Sequence, residues 1–327
     1  MHYPKITIIT PSYNQGQYLE QTITSVLDQN YPNLEYIIID GGSSDNSVDI
    51  IKKYEKYLTY WVSEKDSGQS DAINKGYARA TGEIINWLNS DDYYEPGSLF
   101  KVAQHFSNPE TLVFCGKSRV FSETAFHFST GTDIYPNDLL KTIGWARIDQ
   151  PETFFRKSAW DKIGGIDGQF HYLMDREFWI RFLLMYGIGG VVKTDELLVH
   201  FRLHGQSKTV SQQSGFAKEQ SNYFYSLAVR NGLTQEEKVL SDWESCQTFE
   251  LKKIDTATSV KAVLHNHFWY LAAEAYAHSD WKKFNYFIGH IDPKYLSVSE
   301  RKALKSLKMR KRVVPVIFRK IWHRLKN

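Results

Sequence analysis

A chain of 327 residues with 42% apolar and 24% charged residues has room for one large domain or two ordinary ones and lies within ordinary globular composition. Cys115 and Cys246 are its two cysteines and stand far apart, outside any CxxC, which excludes a disulfide framework and a structural zinc site. The net charge of +3 hides an asymmetry: residues 301–327 carry eleven Lys/Arg and no acid, leaving 29 basic against 37 acidic residues in 1–300, so basicity belongs to a tail and argues against a nucleic-acid-binding body.

The N-terminal "MHYPKITIIT" enters a strand almost at once, without a basic segment leading into a long apolar one, so no signal peptide is expected. No run reaches the ~20 apolar residues of a membrane span; the expectation is a cytoplasmic protein. In chain order, "KITIIT" (5–10) predicts a strand. "QYLEQTITSVLDQ" (17–29) predicts a helix with Leu19, Ile23, Val26 and Leu27 on one side. "EYIIID" (35–40) predicts a strand, "SVDIIKKYEKY" (47–57) a helix and "TYWVSE" (59–64) a strand. "SDAINKGYARA" (70–80) predicts a helix with Ser70 as N-cap. "EIINWL" (83–88) predicts a strand, and "PGSLFKVAQHF" (96–106) a helix with Pro96 in its first turn. Short apolar strands separated by helices make βα units and a parallel sheet. Mixed strand and helix signals follow from 111 to 204. Helices alone are predicted after that, over 212–231, 235–252, 259–278 and 296–308.

A parallel sheet gathers its binding loops at the carboxyl ends of its strands. Here these are "TPSYNQGQ", "DGGSSDNS", "EKDSGQSD" and "NSDD". The first has a single glycine and no GxGxxG, and the chain has no GxxxxGK[ST], so no glycine-rich turn is available to hold phosphates. A divalent cation is the other way to hold a diphosphate: Mg²⁺ and Mn²⁺ take one or two carboxylates with phosphate oxygens and water. The adjacent Asp91 and Asp92 suit that use, although two acids just before a helix also suit a solvated turn.

The order strand–TPSYN, strand–DGGSSD, strand–NSDD resembles glycosyltransferase family 2, strongly over residues 4–106 and more loosely to about 204. The resemblance implies a GT-A fold: an α/β domain with a mostly parallel, Rossmann-like sheet flanked by helices. Residue by residue, it implies that Thr10, Pro11, Ser12 and Tyr13 form the first nucleotide-contacting loop. Asp40, with Gly41, meets the base or ribose, and Asp66 to Gln69 closes over the base. "NSDD" matches the family's DXD-type motif with Asn89 in place of the first acid; Asn89, Ser90 and Asp91 then face the donor, and Asp91 is the metal ligand, joined by Asp92 and by His204 of "HFRLHGQS". "YLMDREFW" resembles the family's ED-x-x-W segment with Met174 in place of Glu, which makes Asp175 the catalytic base. Sugar transfer needs one carboxylate to take the proton of the attacking hydroxyl. Trp179 is four residues on, on the same helix face. Gln150 and Glu152 match a loop that faces the acceptor.

The expected function is therefore transfer of a sugar from a nucleotide diphosphate, UDP-linked, to a saccharide or lipid-linked saccharide with Mn²⁺ or Mg²⁺, by inversion. A non-catalytic GT-A module that binds nucleotide sugar is the alternative, favoured by Asn89 and Met174; a nucleotidyltransferase leaves "MDREFW" unexplained. In "VPVIFRKIWHRLKN" the spacing of Ile317, Phe318, Ile321, Trp322 and Leu325, with Arg319, Lys320, Arg324 and Lys326 between them, predicts a basic amphipathic helix. It would contact an anionic membrane surface, the inner face of the cell membrane, or else dock on the acidic body. The expected organisation is a catalytic domain over 1–207, a helical region over 208–308 and the tail over 309–327.

Overall fold

The structure is a computed structural model and describes residues 3–205 and 207–313; the apolar positions of the expected tail helix lie outside the described residues. The chain divides into two compact units, one of residues 1–134 and 147–219, the other of 135–146 and 220–327.

The first unit opens with four βα steps. Strand β1 (Ile6–Ser12) is followed by α1 (Gly16–Leu27), β2 (Leu34–Asp40) by α2 (Ser47–Tyr54), β3 (Tyr60–Ser63) by α3 (Gln69–Tyr77), and β4 (Ile84–Trp87) by the short β5 (Tyr93–Tyr94) and α4 (Ser98–His105). Strands β1 and β4 are buried along their whole length and β2 at all but its first residue. That is why they read as continuous Ile-rich runs, as in parallel sheets covered on both faces. The remaining strands are β6 (Val113–Phe121), β7 (Phe126–Phe128), then, after helix α5 (Leu139–Trp145) of the second unit, β8 (Thr153–Arg156). Helices α6 (Lys157–Ile163) and α7 (Met174–Tyr186) precede β9 (Val191–Arg202).

Among the described residues one sheet contains all nine strands in the order β3-β2-β1-β4-β8-β6-β9-β5, with β7 paired to β6. The β3-β2-β1-β4 half is parallel. Strand β8 then runs antiparallel to both β4 and β6, and β9 is parallel to β6. The parallel half carries the expected loops on one edge, and β8 and β9 deliver later segments to the same edge. Strand β5 is two residues long and exists through Tyr93 and Tyr94 pairing with His200 and Val199.

Two ion-paired clusters brace this unit from inside. The Glu35 carboxylate is buried, yet its pKa falls to about 2: desolvation opposes ionisation, and hydrogen bonds from Lys5, Thr7 and Thr81 overcome it. Glu177 and Arg181 form a buried pair at 2.6 Å on α7, and the guanidinium also donates to the carbonyls of Ile163, Gly164 and Gly165. Those bonds hold the end of α6 against α7. Trp179 packs in this core between Phe155 and Phe182 and is fully buried.

After α8 (Lys208–Ser211), helix α9 (Gln213–Arg230) starts in the first unit and ends in the second. The second unit is otherwise helical: α5, α10 (Thr234–Trp243), α11 (Val260–Ala277), α12 (Trp281–His290) and α13 (Val298–Val313). Helix α11 is its centre, with a buried Ala262–Trp269 run packed on α5 and α12. Of the described residues, no helix is long and apolar enough to cross a membrane. The units divide after Glu219, past the 207/208 change in composition, and 135–146 joins the later segment.

Candidate active site

A cavity of about 1200 Å³ opens at the carboxyl edge of the sheet, and all of its lining residues belong to the first unit. Pro11, Ser12 and Tyr13 line it from the first loop, Gly41 and Gly42 from the second, Asp66, Gly68 and Gln69 from the third, and Asn89, Ser90 and Asp91 from the fourth. The four polar loops thus meet on one space. The first two are cross-braced: the Asn14 side-chain oxygen accepts from Ser44 N at 2.8 Å, and Asn14 N donates to Ser43 Oγ at 2.8 Å. The second and third loops approach closely at Gly41, where a Cβ would stand 2.8 Å from Asp66 Oδ2 and push that carboxylate aside.

Two expected contacts lie elsewhere. Asp40 is fully buried and does not line the cavity. Its carboxylate accepts from Gly42 N, Ser43 N, Ser43 Oγ and Ser63 Oγ, so it shapes the second loop rather than facing a ligand. Thr10 is also fully buried, its hydroxyl 3.1 Å from Tyr36 Oη. Ser70, expected as an N-cap, follows the first residue of α3, and Gly68 occupies the cap; the Ser70 hydroxyl donates to Met174 Sδ at 3.1 Å instead.

The two adjacent aspartates separate in role. The Asp91 side chain faces the cavity, and its Oδ2 lies 2.9 Å from His204 Nε2. Asp92 turns inward: it is 1% exposed, and its Oδ1 accepts from Arg202 N at 2.9 Å. Burial, and then the charge of Asp91, push its pKa well up. Asp92, expected beside Asp91 at the metal, does not line the cavity, and one of its carboxylate oxygens holds the end of β9. Arg202 completes the tie, donating from Nε to Asp91 O at 3.0 Å and lying over Tyr18 and Phe121. This tie brings His204, 113 residues away in sequence, to Asp91.

Among the described residues no group of three His, Cys, Asp or Glu side chains converges as a metal cage. The donor set does fit a divalent cation of the kind that keeps several ligand positions for phosphate and water: one carboxylate oxygen on the cavity wall and, 2.9 Å from it, one imidazole nitrogen. Ser12 Oγ and Gln15 Oε1, on residues lining the same space, are buried without a hydrogen-bond partner among the described residues. Buried polar groups in this condition are what a ligand satisfies.

A second group of acids lines the same cavity. Asp175 lines it from the first turn of α7, with its Oδ1 accepting from Arg176 N at 2.7 Å. Burial raises its pKa to about 6; the Arg176 N–H and charge pull the other way, and Asp149 adds to the rise. Asp149 is held by Arg147, whose guanidinium also reaches Asp133, Thr130 and Gly131 O. Glu152 is fully buried in the cavity wall; Ser129 Oγ donates to it at 3.0 Å, and burial, with the charge of Asp149, raises it to about 8. Gln150 donates to Asn86 Oδ1 and Trp87 O, which fastens this loop to the end of β4. Met174, in place of an acid, also lines the cavity.

Sequence reasoning did not single out Arg147, Asp149 or Lys208, which also line the cavity. Lys208 lies in the Ser/Gln-rich stretch that reads as a boundary, where no periodicity marks a side chain as inward-facing.

The family model for glycosyl transferase family 2 matches residues 7–174. An uncharacterized glycosyltransferase of Mycobacterium tuberculosis is 33% identical over 195 residues, 56% of this chain and 70% of that protein. A putative teichuronic acid biosynthesis glycosyltransferase, TuaG of Bacillus subtilis, is 42% identical over 103 residues, 30% of this chain and 40% of that protein. Among solved structures, S. aureus TarS in complex with UDP-GlcNAc superposes with a TM-score of 0.58 at 16% identity, covering 89% of this chain and 82% of that one. The mannosyltransferase PcManGT from Pyrobaculum calidifontis, in complex with GDP-Man and Mn²⁺, gives 0.52 at 14% identity, covering 99% and 84%. These likenesses establish the GT-A type of fold, here with a sheet parallel in one half and mixed in the other.

Proposed function

The chain belongs to glycosyltransferase family 2, and from that premise we propose that it is a metal-dependent, inverting transferase that moves a hexosyl or related group from a UDP-linked donor to a saccharide or lipid-linked saccharide. The observation that carries the reading is that one cavity is lined both by Asp91, whose carboxylate lies 2.9 Å from His204 Nε2, and by the Asp175 carboxylate. Teichuronic acid assembly, named for TuaG, supports a role in cell-surface polysaccharide formation. UDP-GlcNAc in TarS supports a uridine donor.

In this reading the base and ribose lie against Pro11 to Tyr13, Gly41 and Asp66. Asp91 and His204 would hold a divalent cation, which supplies charge stabilisation to the departing diphosphate when bound. Asp175 accepts the proton of the acceptor hydroxyl as that oxygen bonds to the anomeric carbon. The bond from that carbon to the diphosphate oxygen breaks, and UDP leaves with the bonding pair. Burial suits Asp175 to this work, because a base with a pKa near the working pH combines the ionised form with real proton affinity. Asp92 and Arg202 position Asp91 and His204. The tail, as a basic amphipathic helix, would bring the enzyme to an anionic membrane face where a lipid-linked acceptor resides.

A non-catalytic nucleotide-sugar binder is the second reading, favoured by Asn89 and Met174 where the family pattern has acids. Thermal shift with a nucleotide-sugar panel, with and without Mn²⁺, tests the donor site, since a ligand that binds only the native state raises its stability. The proposal expects a Mn²⁺-dependent shift with UDP-sugars. No shift with any of them contradicts it.

A further inference from the structure

Lys208 is a cation in the cavity wall that makes no ion pair with a carboxylate among the described residues. Its Nζ donates to Gln69 Oε1 at 3.2 Å and to the His171 carbonyl at 3.3 Å, both neutral acceptors at the long end of hydrogen-bond distance. An ammonium has three donors, and two of them are taken by these acceptors among the described residues. Desolvation dominates its environment and lowers its pKa; the charges of Glu219 and Asp175 oppose this from farther off. Glu219 is otherwise engaged, its carboxylate accepting from the backbone N–H groups of His171, Tyr172 and Leu173. The other cations lining the cavity are Lys65 and Arg147, and Arg147 is committed to Asp133 and Asp149.

The position of Lys208 follows from the turn that supplies His204. Ser207 N donates to His204 O, and His204 N donates to Ser207 Oγ, so the chain delivers the imidazole and, four residues on, the ammonium. Lys208 is then linked to the motif loop through one side chain: Gln69 accepts from Lys208 Nζ and donates from Nε2 to Asn89 Oδ1 at 2.8 Å. Partly burying an unpaired ammonium beside a polar cavity costs stability unless an anion completes it.

We propose that Lys208 receives an anionic oxygen of the bound donor in the same cavity that Asp91 lines, with Gln69 linking the ammonium to Asn89 of the motif loop. The inference rests on the donor reading above. The oxygen belongs either to the β-phosphate or to the carboxylate of a uronic acid sugar, and both present the same chemistry to an ammonium.

The test is titration calorimetry of the full chain in Mn²⁺ with UMP, UDP, UDP-glucose and UDP-glucuronate, for wild type, Lys208→Met and Lys208→Arg. Methionine keeps the length and removes the charge, at a side chain that is not part of the core. The unliganded melting temperature of each variant is recorded alongside. A charge-assisted hydrogen bond predicts that Lys208→Met weakens the relevant ligand on the order of 10- to 100-fold, and that arginine restores part of it. Loss confined to UDP and both UDP-sugars, with UMP unchanged, identifies the β-phosphate. Loss confined to UDP-glucuronate, with UDP-glucose unchanged, identifies the carboxylate. A folded Lys208→Met protein that binds all four ligands as wild type does, or weakens all four including UMP by one common factor, overturns the proposal. A wild-type protein that binds none of the four removes the donor reading itself, and is told apart by failing before any substitution is made.

Discussion

Lowering the pH from 8 to 5 should slow glycosyl transfer by about tenfold through Asp175, without unfolding the protein. The magnitude follows from its surroundings. Burial raises the Asp175 carboxyl to about 6, and Asp149 adds to the rise against the Arg176 N–H. A base with that pKa is almost wholly ionised at pH 8 and about one-tenth ionised at pH 5, and the rate follows the ionised fraction. An ordinary aspartate, with a pKa of about 3.9, would stay ionised throughout this range. The sign is fixed by the role: activity is present above the raised pKa and lost as pH falls through it. The assay is kcat at saturating donor and Mn²⁺, where the profile reports the enzyme–substrate complex and not donor binding. Asp175→Asn keeps the shape of the side chain and removes the base, and should cost at least ~10²-fold in kcat while donor affinity survives. Asp149→Asn should move the inflection to lower pH, because it removes a charge that opposes ionisation. A kcat flat from pH 8 to 5, or an Asp175→Asn enzyme with near-normal turnover, would refute the assignment.

Other expectations address the remaining parts. Asp91→Ala should abolish Mn²⁺-dependent binding of a UDP-sugar by calorimetry, whereas Asp92→Ala, which loses the Arg202 N anchor, should weaken it less; equal tight binding by wild type and Asp91→Ala would count against the metal role. Arg181→Ala removes the guanidinium that pairs with the buried Glu177 carboxylate and donates to three carbonyls, and should lower stability by about 3–5 kcal/mol in urea unfolding; a loss under about 1 kcal/mol would mean the pair is replaceable by water. Deleting 310–327 should leave the sheet unit folded and abolish pelleting with anionic vesicles at low salt. Full-length protein should release from the vesicles near 1 M salt, where the Debye length is ~3 Å. A full-length protein that ignores vesicles, with a truncated form that aggregates, would make the tail part of the packing.

The parallel half of the fold was legible because its strands are buried on both faces and so read as Ile-rich runs between amphipathic helices. The four loops followed from it. What escaped depends on partners distant in sequence. Strand β5 is two residues that pair only because β9 arrives beside them, and residues 135–146, with α5, pack in the second unit for reasons that no local pattern records. The same limit operates inside the site. Asp91 and Asp92 are equivalent as letters; the turn decides that one faces the cavity and the other takes Arg202 N. Asp40 stands at the end of its strand as expected, but the four donors around it turn its carboxylate to the loop. Lys208 carried no signal, since its significance comes from Gln69 and His171, which approach from other parts of the chain.

The most direct test of the central claim is release of nucleoside diphosphate from UDP-sugars by the purified full chain in Mn²⁺, with and without chelator, in the wild type and in Asp175→Asn. The account predicts slow release by the wild type that rises with a suitable saccharide acceptor and stops with chelator. In Asp175→Asn the donor should still bind while the acceptor-stimulated part disappears. Tight, metal-dependent donor binding with no release under any acceptor would contradict catalysis and leave a nucleotide-sugar binding module in its place.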